Sequence, residues 1–285
     1  MSRFSDRHGL PALGAGIGLR FEHVDRILAE PVAVPWFEVV SENYMHRGGL
    51  VRRQIRAAAE RWPIVCHGVS INLGGTDPLD DDYLARLRRF ADEIDSPWVS
   101  DHLCFTGMDG TAMNDLLPLP RTEEAAAHVA ARVRRIQETL GRPFLVENVS
   151  SYVDPTPPGG LDEAEFAGAV CELADCGMLL DVNNVHVNAV NFDRDAWDTL
   201  RRMPLDRVVQ LHLAGPEPKG KLLLDTHGAE IQPAVWELTR RLLPELGPTS
   251  ALVEWDNNMP PLERLLAEQA KAAALLCDAM STPRA

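Results

Sequence analysis

The chain has 285 residues, 45% of them hydrophobic and 25% charged, proportions near the globular average that exclude a fibrous, disordered or disulfide-stapled protein. Its formal charge of -14 and sequence pI of about 5.1 would repel a polyphosphate, and no basic run is dense enough to offset that, so nucleic acid is not an expected partner. The N-terminal MSRFSDRHGLPALGAG lacks the apolar core of a signal peptide, and no stretch approaches the roughly 18 apolar residues of a membrane span; both predict a cytoplasmic protein with no membrane partner.

Short apolar runs alternate with longer segments of three- and four-residue apolar spacing, the rhythm of parallel strands joined by crossover helices. LGAGIGLR (13–20), WFEVVSEN (36–43) and IVCHGVSI (64–71) read as the first three strands. DDDYLARLRRFADEI is an amphipathic helix leading to WVSDHLCF (98–105), and TEEAAAHVAARVRRIQETLG leads to FLVENVSS (144–151). DPTPPGGLD is a loop by its proline and glycine content, and DEAEFAGAVCELADCG is the helix before MLLDVNNVHV (178–187). VVQLHLAG (208–215), the helix PAVWELTRRLLPELG and ALVEWD (251–256) complete the pattern. Eight strand-helix units predict an α/β protein with a closed TIM (β/α)8 barrel, a single domain over residues 1–285.

Asp80 and Thr122 stand where N-cap oxygens are wanted, and Gly141, Gly177 and Gly247 where left-handed C-terminal caps are wanted. The five cysteines are odd in number and lack CxxC spacing, so each is expected to be a reduced structural thiol.

The back half of nearly every predicted strand carries polar residues that a packed core would not select. They are Glu42, His67, Asp101 with His102, Glu147 with Asn148, Asp181 with Asn183 and Asn184, His186, His212, and Glu254 with Asp256. In a β/α barrel the C-terminal strand ends converge on one mouth, so these residues are expected to meet. One histidine on an apolar strand is ordinarily a hydrogen-bonded core residue, whereas several carboxylates gathered together need cations to neutralise them. Histidines and carboxylates without cysteine suit zinc, manganese or iron, and this many donors exceed the three protein ligands of a mononuclear catalytic site. The pattern therefore predicts more than one metal ion. In the loop GPEPKGKLLLDTHGAE, Asp225 and His227 form an i, i+2 pair that an extended segment would place on one side, adding donors for a further ion.

The glycine-rich GAGIG and NLGGTDP have neither the spacing nor the position of a dinucleotide fingerprint and read as barrel backbone and a turn. No GxSxG elbow or P-loop is present, and the lysines, Lys219, Lys221 and Lys271, give no Schiff-base signal.

HGVS with His67, SDHL with His102, FLVENVSSY with Glu147, LLDVNNVHV with Asp181, QLHLAG with His212, DTH with Asp225 and His227, and LVEWD with Glu254 closely resemble the multinuclear non-haem iron enzymes of the methanobactin-biosynthesis type. The resemblance spans nearly the whole chain, and WFEVVSENY and NDLLPLPRTEEA are most similar to the branch associated with copper-binding bufferin peptides. It implies a xylose-isomerase-like barrel, two or three iron ions in mixed Fe(II)/Fe(III) states, and dioxygen as co-substrate. It implies oxidative modification of cysteine residues in a ribosomally made precursor peptide, with a separate recognition protein as partner in a heterodimer. Residue by residue, it implies that His67, His102 and Glu147 hold one iron, that Glu147 bridges to a second held by Asp181, His212 and Glu254, and that a third sits with Asn184, Asp225 and His227. Glu147, Asp181 and His212 are expected to act at the chemistry, while His186 and Glu42 are expected to orient ligands or gate the mouth.

Rival chemistries on such a barrel are divalent-metal hydrolysis, sugar isomerisation and non-catalytic metal binding. The acidic charge speaks against a nuclease, and the absence of lysine near the strand-end motifs speaks against an isomerase.

Overall fold

Side-chain alternation along short strands sorts this chain into two apolar layers with a ring of backbone between them. A computed structural model describes residues 2–281. Eight parallel strands close into a barrel: β1 (Ala15–Gly18), β2 (Phe37–Val40), β3 (Ile64–His67), β4 (Val99–His102), β7 (Phe144–Glu147), β8 (Gly177–Asp181), β9 (Val208–Leu213) and β12 (Ser250–Val253). Four further strands form two antiparallel hairpins outside it, β5 (Cys104–Met108) with β6 (Thr111–Pro118) and β10 (Glu217–Lys219) with β11 (Leu222–Leu224). The β/α barrel expected from the strand-helix rhythm is the observed architecture, with β12 pairing to both β9 and β1 to complete the closure.

Outward-facing residues such as Phe37, Val39, Ile64, Cys66, Phe144, Val146, Met178 and Leu180 pack under the helices in one large core. Their alternate neighbours Trp36, Val65, Trp98, Leu145, Leu179 and Leu252 form a second, separate cluster that fills the barrel, closed below by Phe4 from the short helix Phe4–His8. Stepping two residues further along each strand exchanges this apolar floor for polar side chains: Glu38, His67, Ser100, Glu147, Asp181 and Glu254. Each buried large apolar side chain contributes about 1.5–3 kcal/mol, so the floor anchors the polar layer above it. Glycines in β1 make the room, since a Cβ on Gly16 would collide with the Trp36 ring and one on Gly18 would meet the Arg20 guanidinium at 2.9 Å.

The caps separate into those placed correctly and those displaced. Asp80 accepts from Tyr83 N and Thr122 from Ala125 N, and Gly141 adopts the left-handed conformation at φ 66°. Gly177 does not cap its helix, because Asp175 takes the left-handed position at φ 46° and Gly177 opens β8. It is glycine for want of space, a Cβ there standing 2.4 Å from Leu145 Cδ2. Gly247 has φ 72° but ψ -159°, an extended glycine conformation and not a left-handed cap. All five cysteines are free, four of them buried, and no helix among the described residues is long and apolar enough to cross a membrane.

Gly177→Ala is expected to cost about 1–3 kcal/mol by overpacking. Equilibrium unfolding should also show that this cost shrinks in a Leu145→Ala background, where the colliding methyl is gone.

Candidate metal centre

Six barrel strands, counting Glu254 directly after β12, and one loop deliver the donors. At the end of β3, Ser100 Oγ holds His67 Nδ1 at 2.8 Å, which leaves Nε2 facing Glu147 Oε2 at 3.4 Å. His102, ending β4, brings its Nε2 to 3.3 Å from the same oxygen. The other Glu147 oxygen lies 3.1 Å from His212 Nδ1, on β9, which is also 2.8 Å from Glu254 Oε2. Glu254 Oε2 in turn stands 3.0 Å from His227 Nδ1. His67, His102 and Glu147 thus form one group of donors within 4.8 Å of one another, Glu147, Asp181, His212 and Glu254 a second, and His227, Glu254 and Asp256 a third. Glu147 belongs to the first two and Glu254 to the last two, so the groups form a linked row.

Asp181 is placed by the local sequence. β8 ends on it and the helix Val182–Asn191 begins at the next residue, with Asp181 as N-cap: its Oδ1 accepts from Asn184 N at 2.7 Å, leaving Oδ2 directed elsewhere. Asn148 clamps the Asp181 backbone from the end of β7, donating to its carbonyl at 3.0 Å and accepting from its amide at 2.9 Å. Asn184 Nδ2 donates to Asn148 O at 3.0 Å, which presents Asn184 Oδ1 to the cavity.

Glu147 Oε2, Asp181 Oδ2 and Asn184 Oδ1 are buried and have no hydrogen-bond donor, although such orphaned oxygens are costly. Oxygen and imidazole donors with no thiolate, several aimed at a common space, fit iron, manganese or zinc. The ring nitrogens feel that space unequally. Burial, with His102 and His212 beside it, holds His67 well below the ordinary imidazole value. For His102 burial opposes the charge, yet Glu147 and Asp101 push it up to about 9. Burial likewise opposes charge on His212 and His227, but Glu254 with Glu38, and Asp225 with Glu254, raise them well above it. Burial lifts Asp181 well above the carboxylate range, whereas His212 and His227 hold Glu254 well below it against the same burial.

Seven of the nine residues expected to bind metal stand in these donor groups, while Asp225 lies beside His227 outside them and Asn184 shares only the cavity wall. Asp225 and His227 meet because His227 sits at φ 45°, putting its Nε2 2.7 Å from Asp225 Oδ1; a left-handed residue and not an extended i, i+2 pair creates the contact. Asp225 is fixed by Ser150 Oγ at 2.9 Å and Asn183 Nδ2 at 2.8 Å. His227 turns its other nitrogen to Glu254 and Asp256, and Asp256 is not among the expected ligands. Arg20, on the loop after β1, pairs with Asp256 and lies 3.7 Å from Glu254.

Two flanking residues stand apart from the donor groups. Glu42 starts the short helix Glu42–Met45 and accepts from Val69 N at 2.9 Å and Tyr83 Oη at 2.6 Å, bracing the loop after β3 without touching a donor group. His186 lies half-buried on the helix Val182–Asn191, paired with Gln232, because the expected strand ends at Asp181. The inward carboxylate of β2 is instead Glu38, 3.0 Å from His212 Nε2, which the two-residue period from Trp36 would have revealed. A cavity of about 460 Å³ opens onto the donors, with the hairpin residues Asp115–Pro118 along one wall. The hairpin itself is absent from the expected elements, although the Asp109–Gly110 pair at its tip, both at positive φ, is a sequence signal for that turn.

Asn148→Ala is expected to destabilise the metal-free chain by about 2–4 kcal/mol, since it strands both backbone groups of buried Asp181. Chemical denaturation measures it.

Comparison with known proteins places this geometry. The chain is 46% identical over 269 residues to the UPF0276 protein of Anaeromyxobacter sp. (strain Fw109-5), covering 94% of this chain and 95% of that one. It is 45% identical over 262 residues to the UPF0276 protein PA3283 of Pseudomonas aeruginosa, with 90% and 89% covered. Among solved structures, D-psicose 3-epimerase from Clostridium cellulolyticum H10 aligns with a TM-score of 0.59 at 10% identity, over 93% of this chain and 98% of that one. Endonuclease IV from Thermus thermophilus aligns with a TM-score of 0.59 at 19% identity, over 93% and 99%. These structural likenesses establish the xylose-isomerase-like barrel and nothing of its chemistry. Residues 14–277 match the family model described as "RiPP precursor modification enzyme MbnB/TglH/ChrH", and the chain belongs to that family.

Proposed function

We propose that this chain, acting as one barrel domain, catalyses the iron- and dioxygen-dependent oxidative modification of cysteine residues in a ribosomally made precursor peptide, delivered by a separate recognition protein that forms a heterodimer with it. The observation that carries the reading is the row of donor groups joined through Glu147 and Glu254 beneath an open cavity, in a family that modifies RiPP precursors. His67, His102 and Glu147 would hold one iron, and Glu147, Asp181, His212 and Glu254 a second. A third would sit at His227, whose Nε2 faces Asp225 near Asn184 and whose Nδ1 faces Glu254 and Asp256. Iron there would supply one-electron redox chemistry and Lewis-acid activation of a thiol.

The chain's own residues supply placement. Ser100 and Asn148 fix the orientations of His67 and Asp181, so the donors need no reorganisation when a substrate enters. The cavity is large enough to admit a cysteine with its flanking side chains. His67, His102, His227 and Glu254 line it, and Glu147, Asp181 and His212, grouped with them but wholly buried, would act at the chemistry through the ions they hold. A cytoplasmic location fits a reaction on a reduced thiol.

Glu147→Ala is expected to lose two metal ions together, because it serves two groups, while His227→Ala should lose no more than one; elemental analysis of the purified chains decides. Iron-loaded chain supplied with a cysteine-containing peptide and its partner should modify cysteine in air and not under strict anaerobiosis. Modification without dioxygen, or full activity with zinc alone, would overturn the proposal.

A further inference from the structure

Beneath the donor groups a second polar network crosses the barrel, and only His212 belongs to both. The Trp98 indole Nε1 donates to Gln210 Oε1 at 2.9 Å. An indole N–H can only donate, so this contact fixes which end of the Gln210 amide is oxygen and turns its NH2 toward Glu38 Oε2, at 2.6 Å. The other Glu38 oxygen lies 3.0 Å from His212 Nε2. The opposite ring nitrogen, Nδ1, is the one that faces Glu254 at 2.8 Å and Glu147 at 3.1 Å. Glu38 is 3% exposed, and Trp98, Gln210 and His212 are wholly buried.

We infer that Glu38 is a positioning residue that accepts the Nε2 proton of His212 and so makes Nδ1 the nitrogen that yields its proton to a metal ion held with Glu147, Asp181 and Glu254. The inference rests on reading that group as a metal site. An imidazole ligates only through a nitrogen that carries no proton, and a carboxylate on the far nitrogen fixes the ring and strengthens it as a donor. Position makes Glu38 decisive, because Gln210 Nε2 lies only 3.0 Å from His212 Nε2. While Glu38 accepts from both groups, the His212 proton stays on Nε2. Without that acceptor the Gln210 amide becomes the donor to Nε2, the proton moves to Nδ1, and the ring closes to metal. Trp98 acts two contacts away, by denying Gln210 the flipped orientation that would satisfy His212 in Glu38's place.

Zinc(II) is a suitable probe because it is diamagnetic, so histidine-labelled nitrogen NMR and a chelator-competition titration on the full chain report the tautomer and the affinity independently of activity. In the wild type, His212 should carry its proton on Nε2 and bind zinc through Nδ1. Glu38→Gln is expected to weaken zinc binding about 10- to 100-fold and to move the proton toward Nδ1. Trp98→Phe, which frees Gln210 to turn its oxygen to His212 Nε2, should by itself leave both readouts near wild type, and added to Glu38→Gln it should partly restore them. Wild-type zinc affinity with an unchanged His212 tautomer in folded Glu38→Gln overturns the inference, and if that variant does not fold, zinc held by the wild type through His212 Nε2 overturns it instead. A wild-type chain that takes up no zinc instead removes the metal reading itself, and this inference with it.

Discussion

Glu38, Glu147, Asp181 and Glu254 lie inside a barrel at 5% exposure or less, and the cost of keeping that much carboxylate from water governs the rest of the structure. A lone ion so placed costs several kcal/mol, and neighbouring carboxylates add repulsion. The chain offsets this with imidazoles and with Arg20, which is why His102, His212 and His227 are all driven toward the charged form while His67, buried and crowded by two of its fellows, is driven away from it. The compensation is incomplete, since Glu147 Oε2 and Asp181 Oδ2 find no hydrogen-bond donor among the described residues. Cations are the remaining means of balance, and the donor set is of the type that binds them.

Rigid placement of these groups comes from the apolar floor and from the abruptness of the strand ends. Trp36, Trp98, Leu145, Leu179 and Leu252 fix the height at which each strand turns polar. The passage from β8 into the helix after it has no intervening loop, so Asp181 is at once the last strand residue, a helix N-cap and a candidate ligand. One of its oxygens is committed to the helix and the other is left toward His227 Nε2, 3.6 Å away. Asn148 and Ser100 continue the same logic from neighbouring strands.

Most of this was legible because strand and helix alternate cleanly and because histidine or carboxylate in the back half of an apolar strand has few ordinary explanations. What escaped did so for identifiable reasons. VNNVHV is rich in β-branched residues and reads as strand, yet the Asp181 cap and the tertiary context turn it into helix. In WFEVVSEN the carboxylate nearer the end, Glu42, is the more conspicuous, whereas the strand stops at Val40 and the pleat directs Glu38 inward. The DTH contact depends on a left-handed histidine that no side-chain pattern announces.

Linkage through shared carboxylates means that ions in the three groups could not be held independently. A cation between His67, His102 and Glu147 would draw charge from Glu147 and so weaken its attraction for a cation beside His212. At the far end the balance differs, because Arg20 already pairs with Asp256 and stands close to Glu254. A cation on the Nδ1 side of His227 has to compete with a partly buried guanidinium that cannot deprotonate. The Nε2 side, toward Asp225 and Asp181, carries no such competitor and retains the Asn184 oxygen without a donor. Electrostatics therefore favours the Asp225 side of His227 for a third ion, and makes Arg20 the residue that limits how much positive charge the opposite side can accept.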